Sequence, residues 1–266
     1  MPAPDPNDPA FWDASVANYE AQSQPFTGYF AEAALALLTV DSSTRVLDVA
    51  CGTGAATFAA AARGAEVMAI DFSQGMVQRV LSQGVSRVIA RQMNGQALDL
   101  PDAAFDVAVS IFGVNLFPDW GAGLAEMARV TRPGGWAAVA TWADPHGAAT
   151  SLFISQVRSA LFPETPMTMP FSGLAVLCDP GRLTAAMQDA GFADVTITPV
   201  THDFHLNMSA FDNAERLFAL IPSLDGLTPE QRDALVEEMR ARAEVGRTGD
   251  TFPIPSTALI ATAQHP

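Results

Sequence analysis

The chain has 266 residues, 49% of them hydrophobic, and a formal charge of -15. That apolar fraction excludes general disorder, and no apolar run is long enough to span a bilayer. All 14 basic residues are arginine, and so acidic a surface repels nucleic acid and anionic membranes.

Cys51 and Cys178 make no disulfide framework. The N-terminus, with Pro2, Pro4, Pro6 and Pro9, lacks the basic start and apolar stretch of a leader peptide. A cytoplasmic setting is therefore expected. Residues 1–10 read as loose. Trp12, Tyr19, Phe26, Tyr29 and Phe30 then lead into an amphipathic helix through Leu35 and Leu38.

From there strands and helices alternate. Strands are expected at Arg45–Ala50, Glu66–Asp71, Ser86–Gln92, Phe105–Ile111 and Trp136–Trp142. Helices are expected at Gly54–Ala62, Ser73–Leu81 with Ser73 as N-cap, and Trp120–Val130, ended by Arg132-Pro133-Gly134-Gly135. Later helices are expected at Leu152–Phe162, Gly181–Ala190, Phe211–Ile221 and Pro229–Ala243. Asp194–Val200 and Thr257–Ala263 complete the strands. The pattern predicts an α/β fold, a doubly wound, mainly parallel sheet with helical insertions after the fifth and sixth strands. It reads as one domain, 1–266, with a helical cap (1–40), a core (41–145) and a substrate-side region (146–266).

Asp48-Val49-Ala50-Cys51-Gly52-Thr53-Gly54 joins the first strand to its helix. Glycines at such a turn let a ligand approach the backbone closely. Asp71 ends the next strand, where dinucleotide-type folds place the acid that holds ribose hydroxyls. The third glycine of a nicotinamide fingerprint is missing, and Thr57 stands there. Asp48 lies too close to the turn for a ribose role and suits a position near a ligand's ammonium group.

Val46–Gly54 resembles the first motif of the class I S-adenosylmethionine-dependent methyltransferases. Ala69–Met76, Gln92–Pro101, Phe105–Ala108 and Ala128–Gly135 resemble the motifs that follow, in the same order. The nearest flavour is the small-molecule branch that includes ubiquinone- and menaquinone-biosynthesis enzymes. The resemblance implies a Rossmann-like sheet of seven strands with the last antiparallel, S-adenosyl-L-methionine as cofactor, and methyl transfer to O, N or C of a small, apolar acceptor. The alternatives are a nicotinamide-dependent oxidoreductase and a non-catalytic cofactor-binding module. Monomer and homodimer both remain open.

The resemblance also implies roles. Ala50, Gly52 and Gly54 would pass under the cofactor, and Asp71 would accept its ribose hydroxyls. Phe72 and Met76 would sandwich the adenine. Asn94, with Gly95 and Gln96, stands where the family has an acid facing the adenine amino group. Ser110, Ile111 and Phe112 would face the methionine part through their backbone. Tyr19 would close over the cofactor carboxylate, or else only pack its helix. Cys51 reads as tolerated and not catalytic.

No histidine pair has metal-ligand spacing. His146, just after the fifth strand, is the expected acceptor-side base. His202 and His205 read as following the sixth strand. The segment Met167–Leu177 reads as a wall for an apolar substrate or as core, and Pro229–Arg240 as an amphipathic helix on the core.

Overall fold

The computed structural model describes residues 6–165, 167, 171–212 and 225–266. The expected helix Phe211–Ile221 lies outside the described residues beyond Asp212, as does Met169. The chain forms two compact units. One comprises Met1–Ala143, Phe171–Val200 and Ala258–Pro266, the other Asp144–Pro170 and Thr201–Thr257.

The sheet has seven strands in the order β3-β2-β1-β4-β5-β7-β6. They are β1 (Arg45–Val49), β2 (Glu66–Asp71), β3 (Val88–Gln92), β4 (Phe105–Ile111), β5 (Thr131–Trp142), β6 (Ala193–Asn207) and β7 (Thr251–Gln264). β1 to β5 pair in parallel and β7 runs antiparallel to β5. The strand order reverses between β1 and β4, the switch point where doubly wound sheets open a crevice at the carboxyl ends of their strands. Val46, Leu47 and Val49 of β1 are 0% exposed, as befits a central parallel strand covered on both faces.

In the first unit, local signals set the helix starts. Ser73 caps α4 (Gln74–Leu81) by accepting from the Met76 amide, and Asp119 caps α5 (Trp120–Val130) through Ala122. Between β1 and β2 runs α3 (Ala55–Ala62), and after α5 come α7 (Ser172–Leu177) and α8 (Pro180–Asp189). Leu47, Ile70, Leu124, Met127, Val139, Leu183 and Met187 build the core.

From Pro9 onward the N-terminal segment is helical, where a loose stretch to residue 10 is expected. Asp8 caps α1 (Pro9–Asn18), a single π-turn follows at Tyr19–Ser23, and α2 (Gln24–Ala36) completes it. Asp13 accepts from the Ser73 hydroxyl at 2.5 Å and the Gly75 amide at 2.7 Å, so α1 helps to cap a helix 60 residues away. Glu20 pairs with Arg79 of α4. Phe26 and Phe30 of α2 pack against Trp142.

Three boundaries differ from expectation. The segment Arg132–Gly135 does not follow the helix as a separate turn, because β5 already pairs at Thr131. The register then shifts to Trp136, so these residues bulge out of the strand. β6 and β7 run well past Val200 and upstream of Thr257, and their extra residues belong to the second unit. His202 and His205 accordingly lie within β6, not in a loop after it.

In the second unit, α6 (Ala149–Leu161) and α9 (Pro229–Gly246) enclose a core of Phe153, Ile154, Val157, Leu206, Leu235, Met239 and Ile254. Thr228 and Gln231 form a capping box at the start of α9. Leu235 and Met239 point α9 onto this core, as their spacing predicts. Arg158 is 3% exposed and donates to the carbonyls of Thr165 and Asp225. The apolar segment Met167–Leu177 is divided: Met167 is buried in this unit, Leu174 and Leu177 in the other.

Candidate functional site

The first unit gathers the expected cofactor residues at the carboxyl ends of β1, β2 and β4. Asp71 closes the arrangement. One carboxylate oxygen accepts from the Gly52 amide at 2.9 Å and the other from the Ser73 amide at 2.9 Å. Each oxygen keeps a second lone pair for a ligand hydroxyl. Burial pushes Asp71 up to about 6, against the pull of the Ser73 and Gly52 amides.

Asp48 sits deeper, at 2% exposure on β1. Its carboxylate accepts from the Thr57 hydroxyl at 2.6 Å, and burial pushes it up to about 7. Thr57 thus occupies the place of the missing third glycine because its hydroxyl holds a buried acid. The same burial raises the Cys51 thiol, which does not favour a thiolate.

The turn itself departs from ordinary backbone geometry. Gly52 has φ +52°, and Ala50, a residue with a Cβ, has φ +58°. Phe112, at the end of β4, has φ +62°. Left-handed residues other than glycine cost on the order of 1–3 kcal/mol each and collect at functional sites. Here two of them flank the switch point. The Phe112 ring stacks on Trp142 with centroids 3.6 Å apart, and Phe30 meets it edge-on.

Tyr19, Thr27, Asp48, Ala50, Cys51, Thr53, Ala55, Ala56 and Ile111 line a cleft. The Tyr19 ring covers Gly52, 3.4 Å from where a Cβ would stand. Burial pushes the Tyr19 phenol up to about 12, against a hydrogen bond with Thr27. Gly54 is needed for a different reason: a Cβ there would fall 2.6 Å from the Phe58 ring of its own helix.

At the adenine end, Phe72 is half-buried at the end of β2 and Met76 is 2% exposed. The Asn94 oxygen accepts from the Gln96 amide at 3.0 Å and from the Gln96 side chain at 3.2 Å. Both of its lone pairs are engaged, so an adenine amino group has to displace the Gln96 side chain to reach it. Gln96 also accepts from the Asp119 amide, and Gly95 lies under the Phe117 ring. Ser110 is fully buried and ties the Val49 carbonyl to the Val114 amide.

His146 belongs to the second unit. Its Nδ1 lies 3.1 Å from Asp144, whose same oxygen accepts the His146 amide. The Ser151 hydroxyl donates to the His146 carbonyl.

Three polar residues escape the motif reading: Thr27, Thr53 and Asn115. The Thr53 hydroxyl is buried in the cleft lining with no partner among the described residues, so a ligand can supply one. With the two spare lone pairs of Asp71 and the bare Gly52, this set fits an adenosine-bearing amino-acid cofactor.

A family model described as a methyltransferase domain matches residues 47–139. The demethylmenaquinone methyltransferase of Mycolicibacterium vanbaalenii is 34% identical over 172 residues, which are 59% of this chain and 72% of that protein. The enzyme of the same name from Corynebacterium glutamicum is 40% identical over 108 residues, 41% of this chain and 46% of its own. The chain thus spans about half the length of several curated relatives it matches. A methyltransferase candidate from Bacillus halodurans shares the fold with a TM-score of 0.57 at 17% identity, over 89% of this chain and 98% of its own.

Proposed function

Because the chain belongs to the class I S-adenosylmethionine-dependent methyltransferases, we propose that it transfers a methyl group to O, N or C of a small, apolar organic acceptor with a quinol-like ring. The observation that carries this reading is the Asp71 clasp on Gly52, with Asp48 buried beside it. The names of the relatives support the quinol-like ring. The acidic, lysine-free composition supports a partner other than nucleic acid. A cytoplasmic monomer or homodimer is part of the same proposal. Among the described residues, no helix is long and apolar enough to cross a membrane.

When bound, S-adenosylmethionine supplies a methyl group made electrophilic by its sulfonium. The protein supplies position and charge. Asp71 holds the ribose hydroxyls with the oxygen lone pairs that the Gly52 and Ser73 amides leave free. The bare Cα of Gly52 admits the ligand against the turn, and Tyr19 closes over it. Thr53 donates to or accepts from the ligand, and Asp48 offsets its positive charge from below. Phe72, Met76, Asn94, Gly95 and Gln96 hold the adenine, and the Ser110–Phe112 backbone holds the methionine end. Alignment of the acceptor in a water-poor site supplies much of the acceleration. His146, its ring oriented by Asp144, takes the acceptor's proton.

Titration calorimetry with S-adenosylhomocysteine and with NAD tests the cofactor, and S-adenosylhomocysteine release on a panel of quinols tests the acceptor. Binding of NAD with no binding of S-adenosylhomocysteine overturns the reading.

A further inference from the structure

Asn115 is 0% exposed, and neither end of its amide has a hydrogen-bond partner among the described residues. It lies on the short 3-10 turn Val114–Leu116 that follows β4, in an otherwise apolar run from Gly113 to Phe117. An unmade hydrogen bond on a buried polar group costs about 1–3 kcal/mol, and native structures seldom leave one without a reason.

Three contacts fix the turn. Ser110 ties it to the end of β1 through the Val49 carbonyl and the Val114 amide. Gly113 lies so close to the cofactor turn that a Cβ on it would fall 2.4 Å from the Ala50 Cβ. On the other side, a Cβ on Gly173 of α7 would fall 2.5 Å from the Asn115 carbonyl oxygen. Asn115 is therefore held between α7 and the residues that carry the cofactor turn, at the carboxyl edge of the sheet.

We infer that Asn115 is the residue that recognises the polar handle of the methyl acceptor. An amide offers one acceptor and one donor group and carries no charge. It matches a neutral group that both donates and accepts, which is a hydroxyl or enol. It does not match a carboxylate or ammonium, whose burial beside a neutral amide is uncompensated. This inference rests on the methyl-transfer reading and adds to it the residue that reads the acceptor's hydroxyl.

The test uses the full chain saturated with S-adenosylhomocysteine, and two probes of one shape: anaerobic 1,4-dihydroxynaphthalene and 1,4-dimethylnaphthalene. The wild-type complex should bind the diol at least about tenfold more tightly, the scale of one or two hydrogen bonds. Asn115→Leu should bring the two affinities within about twofold while S-adenosylhomocysteine affinity holds. Asn115→Thr, which keeps a donor and an acceptor, should retain part of the preference. Equal binding of the two probes by wild type, or binding of neither, overturns the inference, as does a preference that survives in Asn115→Leu. If Asn115→Leu does not fold, the wild-type comparison and Asn115→Thr decide. Failure of wild type to bind S-adenosylhomocysteine is a separate result and removes the methyl-transfer reading itself.

Discussion

The Thr57 hydroxyl donates to the buried Asp48 carboxylate at 2.6 Å. A helix residue thereby holds an acid at the centre of the sheet, where burial disfavours its charge. Thr57→Val removes the donor and leaves the acid, and should destabilise the protein by about 1–3 kcal/mol. Asp48→Asn keeps an oxygen for Thr57 and removes the charge, so it should melt higher than wild type at pH 8. Thermal melts of both variants check the pair. A lower melting temperature for Asp48→Asn at that pH contradicts it.

The same burial fixes the sign of a pH effect. Asp48 and Asp71 are lifted from 3.8 to about 7 and about 6, so folding takes up protons. The stability these two groups contribute is full below about pH 4 and is lost as pH rises through about 6 and 7. A ligand that needs both carboxylates ionised works in the opposite direction. Its binding releases protons, and S-adenosylmethionine affinity should rise between pH 5.5 and 8. Calorimetry in two buffers of different ionisation enthalpy measures the proton release directly. A dissociation constant that stays flat across this range rules out a role for the carboxylates.

Asp71→Ala should weaken S-adenosylhomocysteine binding by about 1.5–3 kcal/mol, the scale of charge-assisted hydrogen bonds. It also frees the Gly52 and Ser73 amides, so the fold must be checked by circular dichroism alongside the titration. An unchanged affinity in a folded variant removes Asp71 from the site.

Gly52→Ala separates ligand space from protein space. A Cβ at this position meets the Tyr19 ring at 3.4 Å, an ordinary contact. The protein itself therefore bears only the backbone penalty of φ +52°, about 1–2 kcal/mol. The variant should fold and fail to bind S-adenosylhomocysteine. Normal binding by this variant would mean that the turn has only a structural role.

His146→Ala should lower turnover on a responsive quinol more than about tenfold with S-adenosylhomocysteine affinity retained. Full activity removes the proposed base and leaves the methyl-transfer reading in place, because an aligned acceptor can react without one.

Much of this was legible in the sequence because it is local. The glycine turn, the Ser73 cap and the acid at the end of β2 are set by neighbours a few residues away, and the strands of the parallel core announce themselves as apolar runs. What was hidden depends on distance along the chain. Nothing near Asp13 says that it caps α4, and Thr57 looks like a defect in a glycine motif until Asp48 is found beneath it. The lengths of β6 and β7 are not legible locally, because their outer parts serve a second core, assembled from segments before and after them. Asn115 did leave a signal: a lone amide inside an apolar run at the end of a strand.

The π-turn at Tyr19–Ser23 has a consequence for how the N-terminal helices could be altered. Its defining bond runs from the Gln24 amide to the Tyr19 carbonyl, one residue wider than the α-helical spacing. Each residue in an α-helix advances about 100° around the axis. One surplus residue therefore sets the azimuth of α1 relative to α2. It lets Phe26 and Phe30 grip Trp142 while Asp13 still meets Ser73 and Gly75. Deleting a single residue here would rotate α1 by about a quarter turn and swing Asp13 off its cap. The length of this segment is thus as strictly fixed as the identity of its side chains.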